Sequence, residues 1–319
     1  MSSNITQIND LPSRDRAAEL VDMLGKINST ILVCIRSIKT NNAYDSPRGG
    51  LDDISRFELS RYLKASSVKI PFYFLAEPRL SNLSSSSFGP DEVLNVFRAH
   101  ELASILGLIY LYKRLRSRVP DQEDWRRIAK ITEEQIEIGG LLGRTIPTIG
   151  YADGMLVGGI RHLALGFFCI EDPKGYKDYR RDLKIKNVAF DLKEEKERWS
   201  TTHLDVACRL LVVLGFGQVL ASSLFRGVSA KDDRDLSDEE LRLRLTAFWI
   251  ESLALGVPPP TIRGEEKHQA QDDSLDKLFD DCTRVQKNGL LKYWISLGKK
   301  DVSSESHPQL LDHQKLNQI

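Results

Sequence analysis

Among the residues able to do chemistry, one histidine stands out because it sits beside an arginine in the apolar run Gly158-Gly159-Ile160-Arg161-His162-Leu163-Ala164-Leu165-Gly166. A second histidine, His203, opens the helical stretch His203-Leu204-Asp205-Val206-Ala207-Cys208 and follows Glu195 by eight residues. An imidazole in such a setting has three uses: metal ligand, general base, or buried polar group hydrogen-bonded to a neighbour.

A metal centre needs three or four Cys, His, Asp or Glu side chains that converge, often two of them three or four apart on one helix. None of the six histidines has a second histidine at that spacing. Arg161, next to His162, would repel a cation. Phosphate-cradling glycine loops, a G-x-S-x-G elbow and H-E-x-x-H are all missing. Gly215-Phe216-Gly217 falls within an apolar helical pattern and lacks the third small residue of a dinucleotide motif. The lone-histidine pattern is therefore that of a buried, partnered side chain. Arg161 is expected to reach solvent or a carboxylate, and Lys193–Arg198 to form a solvated helix face of i,i+3 and i,i+4 charge pairs.

The elements that must hold these residues read as helices throughout. Apolar residues from Ala17 to Ile38 recur every three or four positions, which predicts one helical segment, and a second pattern follows through Ile54, Phe57, Leu59, Tyr62 and Leu63. Gly89-Pro90-Asp91-Glu92 reads as a helix start leading into one long apolar helix from Val93 to Leu115. Pro120-Asp121 opens the next, with Trp125, Ile128, Ala129, Thr132 and Ile136 on one face. Gly139-Gly140 either ends it or admits a close neighbour. Residues 153–170 are apolar and 171–198 polar, and helices resume over about 200–226. Ser237-Asp238-Glu239-Glu240 is a capping box that starts a buried helix to Leu255. Gly256-Val257-Pro258-Pro259-Pro260 stops it. One more amphipathic helix is expected from Leu275, followed by a polar tail.

Length and composition bound the function. With 319 residues and 41% hydrophobic content the chain can build a real core, and no alternating strand pattern or fixed-period repeat appears. Forty-five Lys and Arg balance forty-five Asp and Glu, so no net field draws the chain to nucleic acid or an anionic membrane. Cys34, Cys169, Cys208 and Cys282 lie far apart in apolar surroundings and read as buried free thiols. No signal peptide and no uninterrupted apolar run of about 20 residues is seen, so a cytoplasmic protein is expected. Trp125, Trp199, Trp249 and Trp294 are expected as core anchors.

The order of these pieces resembles the HDOD domain, a bacterial relative of the HD phosphohydrolases in which the metal-binding residues are largely lost. The family's Trp-x-His-Ser start corresponds to Trp125-Arg126-Arg127-Ile128, and its Gly-Leu-Leu-His-Asp segment to Gly159-Ile160-Arg161-His162-Leu163. Its glutamate, eight before a helix-opening histidine, corresponds to Glu195 and His203. Leu11-Pro12 stands at the start of the N-terminal lobe, and the match spans roughly residues 11–260. The departures are chemical: Arg127 replaces the first histidine ligand, Leu163 replaces the aspartate of the His-Asp pair, and the family's later paired histidines are absent at Gly227-Val228.

The resemblance implies an all-α, HD-like helical bundle with an N-terminal helical lobe over 1–118, a helical core over 119–261, and a linker, helix and tail over 262–319. It also implies a non-catalytic bacterial signalling or regulatory protein without cofactor or bound metal. Its partners would be other signalling proteins of two-component or cyclic di-GMP circuits, with neither nucleic acid nor membrane involved. Arg127, Arg161, His162, Glu195 and His203 are the candidates for a vestigial anion or nucleotide pocket. The alternatives are a divergent metal-dependent HD phosphohydrolase and an unrelated helical adaptor.

Overall fold

A computed structural model describes residues 12–40, 51–64, 66–80, 89–261, 272–290 and 295. All its regular structure is helical among these residues, so the chain is all-α. The expected linker after Thr261, the polar tail after Lys299, Leu11 and Trp294 lie outside the described residues.

The described residues divide into two units by packing, and the division differs from boundaries at 118 and 261. One unit joins α1 (Pro12–Asp22) to the chain from Lys113 to Gly289. The other holds α2 (Ser29–Thr40), α3 (Asp53–Tyr62), α4 (Ser66–Leu80), α5 (Pro90–Asn95) and most of α6 (Ala99–Arg116).

Two expected helices are broken. The pattern from Ala17 to Ile38 is two helices, separated where Gly25 takes φ 70°. That left-handed conformation costs a glycine nothing and stops the first helix. The long helix from Val93 is also interrupted, because α5 ends at Asn95 and α6 begins at Ala99. The Glu101 carboxylate accepts from the Arg98 backbone N–H at 2.8 Å and holds the Arg79 guanidinium by two bonds of 2.8 and 3.0 Å, which caps α6 as a new start. Ile54 and Phe57 on α3 are exposed, so that helix's apolar pattern does not mark a single buried face.

The larger unit is built on α7 (Gln122–Thr145) and α8 (Tyr151–Glu171). α7 starts on Asp121, whose side chain accepts from the Glu123 N–H, and its Trp125, Ile128, Ile136 and Leu142 are buried. α8 is buried along nearly its whole length. By length and composition it could cross a membrane, but 89% of its most apolar window is buried inside the protein. Around this pair stand α9 (Pro173–Lys186), α10 (Leu192–Trp199), α11 (His203–Val213), α12 (Gln218–Ser229), α13 (Asp238–Leu255) and α14 (Asp272–Asn288). The break between α11 and α12 falls at Gly215 and Gly217, with φ of 90° and 101°, so these glycines are not helical. Ser237 and Glu240 form the expected reciprocal cap of α13. Trp125, Trp199 and Trp249 are buried, as are Cys34, Cys169 and Cys282, while Cys208 is half-buried.

α14 belongs to this unit and not to a separate tail: Leu278, Cys282 and Val285 are buried, and the helix lies against α7 and α13.

α7 and α8 meet backbone to backbone. A Cβ built on Gly154 would stand 1.9 Å from the carbonyl oxygen of Gly139, and one on Gly139 would stand 2.1 Å from that of Gly154. One turn in each direction the contact repeats, Gly143 against the Gly150 carbonyl at 2.1 Å and Gly158 against that of Gln135 at 2.3 Å. No side chain can move aside to relieve a clash with main chain. Gly154→Ala is therefore expected to cost about 3 kcal/mol or more in urea denaturation, since the helices must separate. Gly166→Ala, whose Cβ would meet only Leu115 side-chain atoms at 3.4 Å, is expected to be neutral or stabilising by up to about 1 kcal/mol. Equal losses at both positions would refute the close-approach account.

Candidate functional site

The glycine contact orients α8, and successive residues on a helix point about 100° apart. Arg161 and His162, adjacent in sequence, therefore leave the helix toward different neighbours. Both are buried, with 3% and 6% exposure.

Arg161 turns toward α11 and α13. Its guanidinium lies 3.2 Å from Nε2 of His203 and 2.6 Å from the Glu251 carboxylate of α13. A guanidinium can only donate, so Nε2 of His203 must accept and the ring proton sits on Nδ1. That proton faces both oxygens of Glu195, at 2.9 and 2.8 Å. Glu195 also accepts from the His203 backbone N–H at 2.7 Å and from the Tyr179 hydroxyl.

Local structure explains the eight-residue spacing. α10 ends at Ser200, which adopts φ 59°, and the chain turns back so that α11 begins against Glu195. There Thr202 and Asp205 cap α11 reciprocally. Glu195 takes a further free N–H at the positive end of the helix, where an anion is favoured. The result is a continuous chain, Tyr179–Glu195–His203–Arg161–Glu251, buried as far as Arg161 and half-buried at Glu251, in which the Arg161 cation lies between two carboxylates. Burial and the Glu195 charge push the Tyr179 phenol far above its ordinary range, keeping it a donor.

Phe190 stands between the two histidines. Its ring stacks on His203 at 3.8 Å and 12°, meets His162 at 4.7 Å, and carries the Arg161 guanidinium 4.5 Å from its centroid. On the far side Trp199 stacks on Phe168 at 4.2 Å and meets Tyr179 edge-on at 5.3 Å. Leu163 is fully buried, with 0% exposure.

Arg127 takes no part in this chain. It is 65% exposed on α7 and pairs with Glu123 at 2.8 Å. It does share a cavity with His162, a pocket of about 620 Å³ bounded by α7, α8, α9 and the end of α13. The cavity has Ile131, Leu183, Val188 and Leu255 in its walls, and the buried Gln135 and His162 also line it. The five sequence candidates thus separate into two sets. Arg161, Glu195 and His203 form a closed network, while Arg127 and His162 line a pocket beside it.

The sequence reading missed Tyr179, Phe190 and Glu251 in the network and Gln135 and Arg180 in the pocket. Tyr176, Tyr179 and Leu183 fall three and four apart and are buried, which is a helical face inside a segment read as simply polar. Nothing local marks Glu251 or Phe190, whose partners come from other helices. Among the described residues no group of three or more His, Cys, Asp or Glu is placed to hold a metal ion.

No protein-family model, curated protein or solved structure matches the chain.

Two outcomes test this geometry. Glu195→Ala would strand the Tyr179 hydroxyl, the His203 ring N–H and a backbone N–H in the core, and is expected to cost about 3 kcal/mol or more in chemical denaturation. A loss under about 1 kcal/mol would show that the network is loosely held. The second concerns pH. Burial foremost, and then the charges of Arg180 and Arg161 and the neighbouring His203, hold His162 well below the ordinary imidazole value of 6.5. The unfolded chain then takes up a proton that the folded chain refuses. Stability should be full above about pH 6.5 and fall by up to about 1.4 kcal/mol per pH unit below it. His162→Gln should flatten that dependence between about pH 7.5 and 5.5; an unchanged slope would assign it to other groups.

Proposed function

We propose that the chain is an HDOD-like regulatory protein that works by binding rather than by catalysis, in the manner expected of signalling adaptors of a bacterial cytoplasm. The observation that carries this reading is the occupation of His203. Its Nδ1 is taken by Glu195 and its Nε2 by Arg161, so neither ring nitrogen is open to a metal ion or a substrate proton. A guanidinium 3.2 Å from Nε2 also places a permanent cation where a ligated metal would have to approach.

His162 supports the same reading from the other side. The position after it, where a metal-binding His-Asp pair would have its carboxylate, is the buried Leu163. An isobutyl group offers no ligand and no proton, and Arg127 brings a cation rather than an imidazole to the neighbouring helix. Regulatory partners of the two-component or cyclic di-GMP kind follow from the family resemblance alone.

The reading is tested by metal analysis of the purified chain together with phosphomonoesterase and phosphodiesterase assays in the presence of added Mn²⁺. Expected are sub-stoichiometric metal and no turnover above background. Near-stoichiometric metal that is lost in His162→Ala, or hydrolysis abolished by that change, would establish the phosphohydrolase alternative.

A further inference from the structure

The pocket beside the closed network has features that a merely residual cavity does not explain. Five cationic side chains, Arg127, Lys177, Arg180, Arg181 and Lys184, line it against two acids, Asp124 and Glu134. Three of the five are held by carboxylates: Arg127 by Glu123 at 2.8 Å, Lys177 by Asp124 at 3.0 Å, and Arg181 by Asp178 at 3.0 Å. Arg180 and Lys184 have no ion pair among the described residues, and they stand four apart on α9, on one face and one turn from each other. Two uncompensated cations at that spacing suit a group with several anionic oxygens.

Among the lining residues, Gln135 is only 5% exposed and its side-chain oxygen is buried without a hydrogen-bond donor. An orphaned amide oxygen costs about 1–3 kcal/mol, and buried polar groups ordinarily find a partner. A ligand N–H or O–H that meets this oxygen, once the amide turns into the cavity, removes the cost. Between rim and floor, Ile131, Leu183, Val188 and Leu255 offer apolar contact for the body of such a molecule. A volume of about 620 Å³ is far more than inorganic phosphate requires and falls in the range of small-molecule sites.

We propose that this pocket binds a phosphorylated small molecule, a nucleotide or a sugar phosphate, with its phosphate on Arg180 and Lys184 and a donor group of its body on Gln135. The assignment rests on the reading of the chain as a binding protein and names the chemistry of what it binds. Nucleotides and sugar phosphates share the two required features and differ only in the body that meets the apolar walls.

Isothermal titration of the full chain with adenosine 5′-monophosphate and with glucose 6-phosphate, each against its unphosphorylated parent, separates the two sources. At least one phosphorylated probe should bind with Kd below about 1 mM, and its parent at least about tenfold more weakly. Arg180→Ala should weaken binding by about tenfold or more while preserving the melting temperature. Gln135→Leu should weaken it similarly while leaving the melting temperature equal or higher, because it removes an unsatisfied buried oxygen. Lys193→Ala, at an exposed position of α10 outside the pocket lining, should change nothing.

No binding of either probe below about 1 mM, or binding unchanged in both Arg180→Ala and Gln135→Leu, overturns the assignment. The two readings fail separately. Absence of binding removes the ligand and leaves the non-catalytic reading standing, whereas release of phosphate from a bound probe removes the non-catalytic reading and leaves the pocket.

Discussion

The contact between Gly139 of α7 and Gly154 of α8 constrains everything built around it. Two helices whose main chains touch have almost no freedom to rotate about their axes, since any turn would bring a neighbouring side chain into the gap. Gly150 at the N-cap of α8 and Gly154 and Gly158 within it recur every four residues, so the restriction extends over about two turns. The directions of Arg161 and His162 follow from it. One side chain is sent to His203 and Glu251, and the other to the pocket wall near Gln135, which lies across from Gly158.

The closed network and the pocket are therefore two sides of one helix. On the network side Tyr179, Glu195, His203 and Arg161 are joined by direct contacts that reach Glu251 and link α9, α10, α11, α8 and α13, although Nε of Arg161 and one oxygen of Glu251 have no hydrogen-bond partner among the described residues. Such an arrangement fixes relative positions at the cost of desolvating several charges, which the pairing of opposite charges offsets. On the pocket side the Gln135 side-chain oxygen lacks a donor, and Arg180 and Lys184 have no ion pair, among the described residues. Rigidity on one face and unfilled valence on the other suit a site held in shape before its ligand arrives.

Much of the fold was legible in the sequence where local rules suffice. The cap of α13 needs only Ser237 and Glu240, and the buried face of α14 follows from Leu278, Cys282 and Val285 at helical spacing. The breaks at Gly25 and Gly215–Gly217 were not legible, because a glycine within an apolar pattern is compatible with helix until its φ is known. The break before α6 depends on Arg79, an arginine some twenty residues away. The site shows the same limit. Glu195 and His203 were marked together by the family resemblance, and a short turn joins their helices. Glu251 could not, because it meets Arg161 only through the packing of α13. Arg161 and His162 are adjacent and both meet Phe190, but only His162 lines the pocket, a division set by the packing of neighbouring helices.

The connection between α7 and α8 is only Ile146–Gly150 long. Closing so short a loop costs little chain entropy, and contacts between sequence neighbours form faster than those between distant segments. α8 is also the helix whose composition would suit a lipid bilayer, and its partner is made first, as α7 precedes it in the chain. This apolar helix thus leaves the ribosome directly behind one of the surfaces that cover it, and closing of the hairpin shields that face from membranes and other chains before α9, α11 and α13 cover the rest.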